Sequence, residues 1–330
     1  LPYLGGKQAL VPRLLPLIPE HVCYVEVFGG AAALLLNKPA SSFEVYNDYD
    51  SELVNLFEVI RDDVDAFVKK ADWLLYSREL NEKWKKDLRN GILPEDKVER
   101  ALRFWYVMRS SFAAHPYKGW AFAKRKNRSR PRSIINAIAS IRAIHDRLRT
   151  VEIDHLDFRR CIKNRDARET FMFLDPPYLD ATEYRLGIFT LHDHTDLAGI
   201  LRHAKSKWLM TIGDHPKIRA LYHGFPINRV KTHETVSKII GGKRPTFKQL
   251  IIRNYEPPKT PLYVPVAGRI TVLDLFGVAD QGNPRLRHQA PEKFESEARA
   301  GCGAKRHLLL RPYSGHLSRV LGKAGGKHGC

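Results

Sequence analysis

Directly after the apolar run FMFL stand Asp175, Pro176, Pro177 and Tyr178, which set a carboxylate, conformationally restricted carbonyls and an aromatic ring at the end of a short hydrophobic segment. An amine on an aromatic ring, such as that of adenine, is a poor nucleophile because its lone pair is delocalised. Groups that accept its hydrogens localise that pair. Asp175 and a proline carbonyl can both accept, and the prolines keep them aimed at one point. Tyr178 supplies a stacking face. A base presented in this way must leave its duplex at a cost of a few kcal/mol, of which stacking on a ring recovers roughly 1–3 kcal/mol. Without that chemistry the same four letters read as a strand ending in a proline turn with an incidental acid.

A second group of residues suits a bound nucleoside. Glu26, Val27, Phe28, Gly29 and Gly30 follow the run CYVEV and precede AAALLL, and glycines at such a turn let the backbone approach a ligand closely. The next apolar run, FEVYN, ends at Asn47 and Asp48. An acidic group about 20 residues beyond such a loop is where ribose hydroxyls are commonly held. The alternatives are a plain tight turn for the glycines and, for Asp48, an N-cap of the helix expected from Ser51. Near the start, Tyr3, Gly6 and Lys7 place a ring, a flexible link and a cation before any core element. Lys7 could pair with a ligand carboxylate, and the other reading is a flexible terminus.

Between Lys118 and Arg132 the chain carries Lys118, Lys124, Arg125, Lys126, Arg128, Arg130 and Arg132 without an acidic residue, interleaved with Trp120 and Phe122. Cations there could neutralise phosphates while an aromatic side chain holds a distorted duplex; the alternative is a solvated face or loop. The helix expected over Ser133 to Arg149 extends the basic face through Arg142, Arg147 and Arg149. His192 and His194 form an HxH pair, but no ligand spacing matches a usual metal framework, and no metal is expected. His194 reads instead as sitting in the first turn of the helix Thr195 to Ala204, next to Asp193 as a capping group.

These residues need a scaffold. Apolar runs at Cys23 to Val27, Phe43 to Asn47, Phe171 to Leu174, Trp208 to Ile212 and Gln249 to Arg253 read as buried strands, with helical patterns such as Ser51 to Arg61 between them. The alternation predicts an α/β fold with a largely parallel sheet and a ligand at the strands' carboxyl ends. From 64 to 150 the β signals fade into a helical, polar and basic segment, read as an insertion into a catalytic domain formed by 1–63 and 151–256. Residues 257–330, rich in proline, glycine and isolated basic residues, read as an accessory tail.

The chain has 330 residues, 55 Lys and Arg against 36 Asp and Glu, and a formal charge of +19, which favours a polyanionic partner over small neutral ligands. No apolar run approaches the about 18 residues a membrane span needs. The four cysteines, Cys23, Cys161, Cys302 and Cys330, form no CxxC pair and read as reduced structural thiols. A cytoplasmic location is the expectation.

In the order YLGGK, EVFGG, Asn47-Asp48, Asp157-Phe158 and DPPY, from about Tyr3 to Asn254, the sequence resembles the D12 class of adenine-specific DNA methyltransferases, the Dam-like group, and especially its phage and prophage members. The resemblance implies a Rossmann-like S-adenosylmethionine-dependent methyltransferase sheet with an inserted, mainly helical target-recognition domain. It implies that Tyr3, Gly6, Lys7, Glu26, Phe28, Gly29, Gly30, Asp48, Asp157, Phe158 and Asp175 bind or border S-adenosyl-L-methionine. Asp175, Pro176, Pro177 and Tyr178 would then serve N6 methylation of a flipped adenine in double-stranded DNA, with a cognate restriction enzyme as a further partner. Val27 stands where the family usually has proline, and Ala31 and Ala32 stand where a further glycine or serine is common. Two other readings are an amino methyltransferase acting on RNA or protein, and a DNA-binding regulator with a dead site.

Overall fold

A computed structural model describes residues 7–112, 119–122, 129–179, 189–233 and 246–263. The run Thr170–Leu174 forms β4, buried along its whole length, with Phe171 and Phe173 facing one apolar layer and Met172 and Leu174 the other. A strand covered on both faces reads as a continuous apolar run rather than an alternating one, which is why TFMFL is legible. Around it lie β1 (Cys23–Glu26), β2 (Phe43–Asn47), β3 (Val151–Asp154), β5 (Lys207–Gly213), β6 (Ile227–His233) and β7 (Thr246–Arg253).

Among the described residues these strands form one sheet in the order β3-β2-β1-β4-β5-β7-β6. β3, β2, β1, β4 and β5 are mutually parallel, whereas β7 is antiparallel to both β5 and β6. The order reverses between β1 and β4, so the crevice at their carboxyl ends is the topological switch point of a Rossmann-like sheet. The EVFGG loop leaves β1 there and the DPPY turn leaves β4.

Helices α2 (Ser51–Asp62), α3 (Val64–Ala71), α5 (Lys97–Ser110) and α6 (Arg130–Leu148) bury Leu56, Phe67, Trp105 and Ile141 in one cluster with Tyr24, Tyr46 and Phe173 of the sheet. α4 (Arg78–Arg89) packs on α5 through Trp84, whose ring meets Tyr106 edge-on. The opposite face is covered by α7 (Phe158–Arg165), α8 (Leu191–Arg202) and α9 (Pro216–Leu221), with Trp208 and Met210 beneath them. The described residues of 64–150 are thus mainly helical, and they share one core with the sheet. A short α1 (Val11–Leu14) follows Lys7 and buries Val11 and Leu14 in the same cluster.

α6 is also stapled to the sheet. Arg147 donates to both carboxylate oxygens of Glu44, which also takes Lys38 Nζ at 2.5 Å, and all three side chains are buried or nearly so. Arg147 therefore does not continue a solvated basic face; its charge is spent inside the fold. No helix among the described residues is long and apolar enough to cross a membrane.

Candidate active site

The DPPY turn is held by side chains from three other parts of the chain. Lys7 Nζ lies 2.8 Å from Asp175 Oδ1 and donates to the Tyr178 hydroxyl at 2.7 Å. Thr211 Oγ1, on β5, donates to the same Asp175 oxygen at 3.0 Å. The Tyr178 hydroxyl donates to Gln249 Oε1, on β7, at 3.3 Å. Pro176 is buried, while Asp175 and Tyr178 remain partly accessible from the crevice. Burial raises the Asp175 pKa above the ordinary carboxylate value, against the lowering pull of Lys7 and Thr211. Burial and the neighbouring Asp175 push the Tyr178 hydroxyl well up, so it acts as a neutral donor. Sequence patterns single out Lys7 and DPPY but miss Thr211 and Gln249, because interior strand residues with ordinary polar side chains carry no local signal.

Two side chains of the Asn47–Asp48 pair organise the loop after β1. The Asn47 amide donates to the Val27 carbonyl at 2.8 Å and the Leu156 carbonyl at 3.1 Å, and its oxygen accepts from Leu156 N–H at 2.9 Å. It thereby ties the loops after β1 and β3 together. Asp48 accepts from Gly30 N–H and Asp50 N–H, each at 2.7 Å. Asp48 is not the N-cap of α2; that role belongs to Asp50, whose side chain accepts from Glu52 and Leu53 N–H. Asp48 therefore stands at the carboxyl end of β2 with its oxygens toward the glycine turn.

The glycines of that turn have separate reasons. A Cβ on Gly29 would come within 2.2 Å of the Tyr46 ring. That ring cannot easily yield, since it stacks on Phe57 at 4.2 Å and its hydroxyl donates to the Gly30 carbonyl. Gly30 has φ +51°, and Ala32 holds φ +52° without the glycine that such a conformation favours. Glu26 points into the interior: its Oε1 accepts from the Tyr24 hydroxyl at 2.9 Å and Leu35 N–H at 2.6 Å. Burial lifts its pKa to about 7.

Beside the crevice the rings of Phe28, Phe158 and Phe189 gather with centroids 5.5–5.8 Å apart. Asp157 caps α7 through Arg159 N–H, and the Arg159 guanidinium lies 4.3 Å from the Phe158 ring while pairing with Asp193 and Asp196. Phe189 and His194 are further members that sequence patterns do not supply. α8 starts at Leu191, four residues before the expected Thr195, and its cap is Thr190 in a capping box with Asp193. Asp193 is a capping group, as expected, and His194 follows it within the helix. The histidine is fully buried, meets the Phe189 ring edge-on at 4.7 Å, and burial drives its pKa down to about 4 against opposing pulls from Asp193 and the Pro177 backbone.

Of the basic stretch, Trp120, Arg130 and Arg132 are described, whereas Lys118, Lys124, Arg125, Lys126 and Arg128, like Tyr3 and Gly6, lie outside the described residues. Trp120 is half-buried with its ring 4.2 Å from Tyr76, and it bridges antiparallel to Ser111. Arg130 and Arg132 sit in the first turn of α6, which begins three residues earlier than expected and contains no acidic residue there.

A Rossmann-like sheet whose switch point presents a partly accessible acid on a diproline turn, a glycine loop with an acid at the next strand's end, and a cluster of rings defines a group-transfer enzyme that handles a nucleoside. The profile of the D12 class N6 adenine-specific DNA methyltransferases matches residues 3–236, and the chain belongs to that family. Similar proteins include the type II methyltransferase M1.LlaDCHI of Lactococcus lactis subsp. cremoris, 24% identical over 77% of this chain and 94% of the relative. The type II methyltransferase M.CviBI of Paramecium bursaria Chlorella virus NC1A is 28% identical over 67% of this chain and 85% of its own length. A DNA adenine methylase of Vibrio cholerae is 25% identical over 74% of this chain and 91% of its own length. The activity carried by this membership is site-specific methylation of adenine N6 in DNA, with S-adenosylmethionine as donor.

Proposed function

We propose that Asp175, Pro176 and Tyr178 form the adenine site and that Lys7, Phe28, Gly30, Asp48, Asp157 and Phe158 form the cofactor site. The residues present suit S-adenosylmethionine: a cation at Lys7, an acid at the end of β2, a glycine loop in a left-handed conformation and a wall of rings. S-adenosylmethionine supplies an electrophilic methyl group on its sulfonium. Asp175 accepts one hydrogen of the amine and the Pro176 carbonyl the other, which localises the nitrogen lone pair. Tyr178 stacks on the flipped base while its hydroxyl is fixed by Lys7 and Gln249. As the nitrogen gains the methyl group it loses a proton, which Asp175 is placed to take. Gly29 and Glu26 shape the loop from behind, through Tyr46 and Leu35.

The observation that carries this reading is the convergence of Lys7, Thr211 and Gln249 on DPPY at the switch point. Residues 64–150 supply the duplex-binding part, with 118–132 on the phosphate backbone and Trp120 packed at its base. Support comes from α6, where Arg130 and Arg132 crowd a helix N-terminus that already favours anions. Residues 257–330 are an accessory tail. Incubating the protein with unmethylated genomic DNA and labelled S-adenosylmethionine, followed by nucleoside analysis, tests the reading. N6-methyladenine at one short motif is expected, and Asp175→Asn should leave none. Full activity in that variant would remove Asp175 from the chemistry.

A further inference from the structure

The ladder between β6 and β7 outruns the rest of the sheet. β5 pairs with β7 as far as Gly213 opposite Gln249, but β6 and β7 continue through Lys231 opposite Lys248 to His233 opposite Thr246. Since β6 runs parallel to β5, this extension is a two-stranded ribbon projecting past the carboxyl ends, at the edge of the crevice.

The ribbon's charges are arranged at a cost to the isolated protein. Lys231 and Lys248 are both exposed and directly opposed, and like charges in that position repel. Arg229, two residues before Lys231 on the same face, is exposed and shares Asp214 with Arg219 of α9, at 3.5 and 3.3 Å. Two guanidiniums on one carboxylate leave a net positive charge beside the lysine pair. A row of phosphates would relieve this repulsion.

The ribbon is also joined to the catalytic turn. Gln249, the neighbour of Lys248, takes the Tyr178 hydroxyl, and the Lys248 carbonyl accepts from Asp214 N–H at 3.1 Å. In the sheet order β6 and β7 lie on the side of β4 away from β3. Nothing in the 118–132 stretch is needed to build this second basic surface.

We propose that the β6–β7 ribbon is a second DNA-backbone arm, in which Lys231, Lys248 and Arg229 hold phosphates of the strand entering the adenine site. It rests on DNA being the substrate. Contacts to phosphate set position and affinity without reading bases.

The test is binding of a short unmethylated duplex of mixed sequence, followed by fluorescence anisotropy across a salt series. The proteins compared are the full chain, a Lys231→Ala/Lys248→Ala variant and Lys248→Glu. The double variant should bind every duplex more weakly, and its slope of log affinity against log salt should be shallower by about 2. Lys248→Glu creates an attractive pair with Lys231, so it should melt higher than the parent without DNA yet bind DNA more weakly. S-adenosylmethionine affinity should stay unchanged in both. An unaltered salt slope and affinity would overturn the proposal. A parent chain with no salt-dependent duplex binding would overturn the DNA reading beneath it.

Discussion

Lys7 enters the fold before the first strand and Asp175 leaves the fourth, yet Lys7 Nζ lies 2.8 Å from Asp175 Oδ1 in a nearly closed setting. The pair decides the charge state of the group that receives the substrate's hydrogens, since burial opposes ionisation and Lys7 favours it.

Removing the lysine should therefore change a pH profile. In Lys7→Met the Asp175 pKa rises further, and the acid limb of kcat/KM moves to higher pH. Rates at saturating cofactor across about pH 5 to 9 would show it. A limb that stays in place would separate Lys7 from this ionisation.

Glu26 and His194 give the stability two opposed slopes. Glu26 moves from 4.5 to about 7 on folding, so between those values the folded state keeps a proton that the unfolded chain has lost, and stability falls as pH rises. His194 moves from 6.5 to about 4, so in that window the unfolded chain holds the extra proton and stability falls as pH drops. Each effect is of order 3 kcal/mol, and the two largely offset each other over their shared window. Glu26→Gln should unmask the histidine: denaturant melts would show steeper loss toward acid than in the parent and higher stability above pH about 7. Parallel curves would rule out the Glu26 assignment.

The turn after β1 carries a substitution of each sign. Gly29→Ala drives a methyl into Tyr46 and should cost about 1–3 kcal/mol, with weaker cofactor binding by calorimetry as the loop shifts. Ala32→Gly relieves a left-handed alanine and should gain about 0.5–1 kcal/mol, since the strain of about 1–2 kcal/mol exceeds the added chain entropy. Thermal melts of both variants check the pair.

The Lys38–Glu44–Arg147 staple should be the most sensitive ionic site. Glu44→Ala strands two cations in the interior and should cost about 3–5 kcal/mol. If equilibrium unfolding shifts by less than a surface pair would give, the triad is not holding α6 to the sheet.

Much of this architecture can be read locally. β2 occupies Phe43–Asn47 as its pattern implies, and β4 follows the apolar run before DPPY. What escapes has a physical reason. β6, INRVKTH, is an edge strand with exposed polar positions and little hydrophobic signal. The start of α8 is set by a Thr190–Asp193 capping box rather than by periodicity. Arg147 sits in an ordinary basic pattern, and only its partner Glu44, from a distant strand, reveals that it is interior. Thr211 and Gln249 enter the site through sheet register, which no single segment encodes.

The placement of Gln249 bears on biosynthesis. β7 is inserted between β5 and β6 although it follows both in the chain, so the hydroxyl of Tyr178, already met by Lys7, gains its acceptor Gln249 only after the last of the described strands has been made. A ribosome that stalls before Gln249 leaves a product with the acid, the prolines and the glycine loop but a tyrosine hydroxyl without its Gln249 acceptor. Competence to modify DNA is in this sense a property of the finished polypeptide, and truncated chains should be silent rather than indiscriminate.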